Sequence, residues 1–171
     1  MDSSIASNLM YHLAGDEPGI EHAPKEIDAW LESLPLPMDL KRMLQWYWPK
    51  HGVQLGPIHF HSPMGIRHAP WTDAMLPHKL LALGDCPNGD AFVVDFSSDA
   101  CNVGFVTREE YDGESDPRPY YQPTFRCLET YLYRVAEERY LPADYYDARS
   151  LIDFLQAERD HDSVPPFRKR T

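Results

Sequence analysis

The sequence predicts an α+β domain in which helices pack against one antiparallel, mostly meander sheet. Three observations carry this prediction. Amphipathic helical spacing fills the stretch before residue 50, three short apolar runs joined by turn-rich links occupy 80–107, and helical spacing returns after residue 124. With 171 residues and a hydrophobic fraction of 43%, the chain suits one domain, 1–171, whose core spans about 24–160.

The first expected element is an added N-terminal helix within 1–20, where Ile5, Leu9 and Leu13 form a weak apolar stripe before Gly15. Pro24 then opens a helix whose Ile27, Trp30, Leu31 and Leu34 fall at i, i+3, i+4 and i+7. A second helix follows Pro37, with Leu40, Met43, Leu44 and Tyr47 inward until Pro49 and Gly52 stop it. In VQLGPIHFHS, alternation after Pro57 sends Ile58 and Phe60 to one face and His59 and His61 to the other. Residues 63–77, rich in Pro, Gly and His, read as a loop with at most a short helix near Trp71.

The runs LLALG, AFVVDF and VGFVT are strands, because DCPNGD and SSDACN between them hold the Asn, Gly, Asp and Ser of hairpin turns. Within the middle run Phe92, Val94 and Phe96 form the better core face, leaving Asp95 on the solvent side. The stretch EEYDGESDPRPYYQP reads as an acidic loop. Thr124 then caps a helix with Phe125, Leu128, Leu132 and Val135 inward, ended by Pro142. A last helix over 147–160 buries Leu151, Ile152, Phe154 and Leu155, and 161–171 is expected to be a flexible tail.

Charge narrows the functional classes. Sixteen basic against 27 acidic residues leave a net of −11, which disfavours direct nucleic-acid binding, since phosphate contacts need a basic face. No apolar run reaches the roughly 18 residues of a membrane span, and the N-terminal stretch lacks the pattern of a signal peptide, so the expected location is cytoplasmic. Cys86, Cys101 and Cys127 are odd in number and contain no CxxC pair, which points to free thiols.

Motifs for chemistry are sparse. His59 and His61 share a strand face and can chelate a divalent ion only with a third ligand from His51, His68, His78 or a carboxylate, so a small metalloenzyme stands as the lesser alternative. The aspartates near 85–95 do not match a calcium loop, and no nucleophile elbow, cysteine-protease signature or phosphate-binding loop is present. No cofactor or catalytic residue is expected. What stands out is 85–116, where nine acidic residues face Arg108 alone, a local net of −8. Asp85, Asp90, Asp99, Glu109, Glu110, Asp112, Glu114 and Asp116, with Tyr111, Tyr120 and Tyr121 interleaved, are the candidate partner-binding residues. A solvated acidic loop that only maintains solubility remains the open alternative.

The order of these elements resembles the SMI1/KNR4 superfamily, also called the SUKH superfamily. The likeness runs over 27–135 and rests on LPLPMDLKRMLQWYWP, the strand VQLGPIHFH, the Gly89-Asp90 turn with its apolar strand in LLALGDCPNGDAFVVDF, and TFRCLETYLYRVA. The long segments 63–77 and 109–123 and the extra N-terminal helix depart from the family pattern. The resemblance implies an α+β, non-enzymatic binding module in which Gly89 and Asp90 shape the fold. Many bacterial members are immunity proteins that neutralise polymorphic toxins, often nucleases, whereas fungal members regulate cell-wall synthesis through protein contacts. The expected function is therefore a cytoplasmic immunity protein that binds a basic cognate toxin through its acidic surface; the alternative is a regulatory scaffold binding an endogenous protein.

Overall fold

The computed structural model describes Met10, His12, Leu13 and residues 23–152. Met10, His12 and Leu13 are helical; the other residues of the expected N-terminal helix, Phe154, Leu155 and the tail 161–171 lie outside the described residues.

Two short helices come first. In α1 (Lys25–Ser33) the Pro24 carbonyl accepts from the Ile27 and Asp28 amides, and Ile27 and Leu31 are fully buried. In α2 (Met38–Trp46) Leu40, Met43 and Leu44 point inward. Polar residues join the two helices: Lys41 Nζ donates to the Glu32 carbonyl, and Gln45 Nε2 donates to Asp28 Oδ1 and Glu32 Oε1. One expectation is reversed at the end of α2. Its backbone leaves helical geometry at Tyr47, so Tyr47 faces solvent and Trp48 is buried instead, its Nε1 donating to the His61 carbonyl at 2.7 Å.

Six strands form one antiparallel sheet in sequence order: β1 (Val53–Leu55), β2 (Ile58–Phe60), β3 (Leu80–Asp85), β4 (Ala91–Asp95), β5 (Asn102–Val106) and β6 (Tyr121–Phe125). The predicted meander is therefore present and longer than expected at both ends. VQLGPIHF is a complete hairpin turned at Gly56-Pro57. The segment expected to open a helix at Thr124 is an edge strand instead, and α5 (Leu128–Ala136) starts after it. Pro123 is compatible with that strand because an edge residue need not donate to a ladder. Gly104 is required opposite it: a Cβ there would collide with the Gln122 carbonyl oxygen.

The sheet buries both faces. On the first, Phe60, Phe92, Phe105, Phe125 and Tyr131 pack as a connected aromatic group, with centroid separations from 4.9 to 5.7 Å. Such pairs contribute about 0.5–1.5 kcal/mol each beyond the area they bury. Helices α1, α2 and α5 and the helical segment 145–152 supply Leu31, Leu44, Leu132 and Ala148 to the same cluster. Leu151 and Ile152 at its described end are half-buried.

The second face holds Leu80, Ala82, Ala91, Val93 and Val106 under Met75 and Tyr111. Residues 63–78 are not a loop. They form α3 (Pro63–His68), capped by Ser62 Oγ accepting from the Gly65 amide, then α4 (Thr72–Met75) and a 3-10 turn (Leu76–His78). Ile66 of α3 belongs to the first cluster and Met75 of α4 to the second, so this segment passes from one face to the other beside the part of β3 that β2 leaves unpaired.

Candidate functional site

The site begins at the β3–β4 turn. Gly89 takes φ +89°, a left-handed conformation that side chains with a Cβ adopt at a cost, and its amide donates to the Cys86 carbonyl. This bend sends Asp90 inward, where it is completely buried. Its Oδ1 accepts from the Arg108 amide at 2.8 Å, and its Oδ2 accepts from Asn88 Nδ2 at 2.9 Å and the Tyr145 amide at 3.1 Å. Tyr145 opens the helical segment 145–152, whose start is also capped by Asp144 Oδ1 accepting from the Asp147 amide. Asp90 thus joins three distant stretches of chain. It is a structural centre and is removed from the docking set.

The acidic stretch after β5 is a strap and not a free loop. Tyr111, only 4% exposed, sits edge-on to Trp71 at 5.6 Å, and the Trp71 indole fills the space where Gly113 lacks a Cβ. Asp112 Oδ1 closes a turn by accepting from the Glu114 and Ser115 amides and from Ser115 Oγ. Those bonds hold its carboxyl below the usual carboxylate range. At the far end Arg118 forms a bidentate pair with Asp95 and also donates to the His78 carbonyl, while His78 Nδ1 lies 3.1 Å from Asp116.

Asp95 is consequently not on the solvent side; its side chain is 13% exposed. Burial raises its carboxyl, but hydrogen bonds from Arg118 and Ser97 outweigh burial and leave it below the usual value.

The tyrosines of the candidate set close the second core and do not project from it. Tyr111 is buried, Tyr120 and Tyr121 are half-buried, and the Tyr121 hydroxyl donates to the Asn102 carbonyl. Asp99 is exposed but lies in the β4–β5 turn, at the opposite end of the strands, roughly 13 Å of strand from the Gly89 turn.

What remains together is a cleft of about 620 Å³ between the Trp71 segment, the Gly89 turn and the strap. Trp71 and Tyr111 supply its aromatic wall, Asp85 and Asp112 its carboxylates, and Arg108 lies across Gly89. Exposed Glu109, Glu110 and Glu114 extend the negative surface from the strap; Glu109 accepts from the Tyr146 hydroxyl at 2.9 Å. Cys86 lines the cleft, yet burial and the nearby Asp90, Asp144 and Asp85 charges push its thiol far up and keep it protonated.

Trp71 and Arg108 were missed as site residues in the sequence. The only available signals were an aromatic residue in a Pro-rich segment and a single cation in an acidic stretch.

His61 Nε2 is engaged by Asp85 Oδ2 at 2.7 Å, and its Nδ1 is buried without a hydrogen-bond partner among the described residues. His59 is exposed, with its ring 6.2 Å from that of His61. Among the described residues no group of three or more His, Cys, Asp or Glu is placed to hold a metal ion, and no helix is long and apolar enough to cross a membrane. No family model, curated protein or solved structure matches the chain.

Proposed function

We propose that the protein is a non-catalytic binding module that docks a basic protein at the cleft end of its sheet, and that it acts as an immunity protein against a cognate toxin. The observation that carries this reading is a cleft with an aromatic wall that Asp85 and Asp112 line, with Glu109, Glu110 and Glu114 exposed on the strap beside it. Acidic residues in excess of the single Arg108 at a concave surface accelerate encounter with a basic partner, and the aromatic wall provides the apolar contact that slows its departure. The resemblance to SMI1/KNR4 immunity proteins supports the same reading. A nuclease toxin fits because its substrate cleft is basic.

The test is capture from the native cell followed by identification of the bound protein. The expected partner is a single basic protein that kills cells when expressed alone and is silenced by co-expression of this chain. Recovery of only endogenous housekeeping partners would replace immunity with a scaffold role. Glu110→Lys combined with Glu114→Lys should lower the association rate tenfold or more at low salt and much less at high salt. An unchanged rate would move the interface away from the strap.

A further inference from the structure

We propose that Asn88-Gly89 is a spontaneous deamidation site at the rim of the cleft, held shut by the buried Asp90 and released when the β3–β4 turn opens. Of the asparagines Asn8, Asn88 and Asn102, only Asn88 precedes a glycine. Deamidation begins when the backbone nitrogen of the following residue reaches the asparagine Cγ and closes a succinimide ring. A side chain on that residue obstructs the approach, as Leu9 and Val103 do after Asn8 and Asn102, whereas Gly89 leaves it clear.

Asn88 is exposed and lines the cleft together with Gly89, so water and base reach it. The folded turn nevertheless occupies both reacting groups. Asn88 Oδ1 accepts from the Asp90 amide at 3.0 Å, and its Nδ2 donates to Asp90 Oδ2 at 2.9 Å. The Gly89 amide donates to the Cys86 carbonyl at 2.9 Å. Both ends of the carboxamide are therefore bonded to residue 90, and attack would require the Gly89 nitrogen to give up the proton it shares with Cys86. This clamp is anchored from far along the chain, because the Asp90 carboxylate, completely buried, also accepts from the Arg108 and Tyr145 amides.

In the open turn the Gly89 nitrogen loses its proton to solvent base, forms a bond to Cγ and displaces Nδ2, which takes up a proton and leaves as ammonia. Water then opens the ring at either of its carbonyl carbons, leaving aspartate or isoaspartate at position 88. One water is consumed, one ammonia is released, and nothing is oxidised or reduced. The product cannot rebuild the turn. A carboxylate at position 88 has no N–H for Asp90 Oδ2 and repels it, and isoaspartate also lengthens the main chain by one carbon. Each opening that leads to reaction is thereby made permanent.

The experiment incubates the full chain at mildly alkaline pH, in buffer and in guanidinium chloride, and follows the amide-to-acid mass gain of the peptide that contains residue 88. The denatured chain should convert at Asn88 about tenfold faster than the folded chain or more, and faster than it converts at Asn8 or Asn102. Equal rates in buffer and denaturant would overturn the proposal, as would a denatured chain that converts no faster at Asn88 than at Asn102. Asn88→Gln, at an exposed position, supplies a folded control that should lose the mass gain under both conditions. Asn88→Asp carries the product's charge from the start and should lower the melting midpoint by roughly 5 °C; an unchanged midpoint would overturn the claim that the product keeps the turn from closing.

Discussion

Asp90 shows how one side chain can be read correctly for its turn and wrongly for its surface role. Its place after Asn88 and Gly89 marks a bend, but the Arg108 and Tyr145 amides that bury it come from 18 and 55 residues away. Asp90→Asn turns an amide toward N–H donors that need an acceptor, and should cost about 3 kcal/mol in chemical denaturation. A loss below about 1 kcal/mol would show that the three bonds do not act as a unit. Asp95 gives a test through pH. Its folded carboxyl titrates below the ordinary value of about 3.9, so its stabilising contribution is fully present above that value and is lost as pH falls through the folded value. The stability gap between the native chain and Asp95→Asn should therefore be widest near neutrality and close progressively below about pH 4. A gap independent of pH would separate Asp95 ionisation from the Arg118 clamp.

The strap between β5 and β6 decides how the acidic stretch behaves as an element. Composition alone describes a polar loop, because nothing local signals that Tyr111 inserts beside Trp71, a residue 40 positions earlier. Tyr111→Ala should cost about 3 kcal/mol through loss of a buried aromatic, and should expose the bonds after Glu109, Glu110 and Glu114 to a glutamate-specific protease. Equal cleavage of native and variant chains would mean that the strap is already open. The same limit on local reading explains β6. Gln122, Thr124 and Phe125 have side chains compatible with a strand, but Thr124 also resembles a helix cap, and the Gly104 backbone that receives Pro123 settles the choice. Gly104→Ala should destabilise the domain by 2 kcal/mol or more, since the obstructing atom belongs to the backbone and cannot rotate away; a neutral effect in thermal unfolding would show that the β5–β6 edge yields.

At the scale of the whole molecule, sequestering Asp90 and pairing Asp95 with Arg118 leaves a smaller negative surface than the linear charge count suggests. Among the described residues, Asp85 and Asp112 line the cleft and Glu109, Glu110 and Glu114 stay exposed on the strap, and association with the proposed basic partner should depend on salt through them. Asp99→Lys, at the other end of the sheet, should change the association rate less than Glu114→Lys at the same ionic strength. An equal effect of both would indicate a partner that senses net charge without docking at the cleft. The sequence by itself determined the α+β class, the central meander, the inward faces of the first two helices short of Tyr47 and the Gly89-Asp90 bend, because helical and strand periodicities and turn chemistry act over a few neighbouring residues. Only the tertiary structure decided that both sheet faces are covered, that Trp71 and Arg108 border the cleft, and which carboxylates reach solvent. Burial and pairing are set by residues tens of positions apart, and it is their closeness in space that separates a surface charge from a structural one.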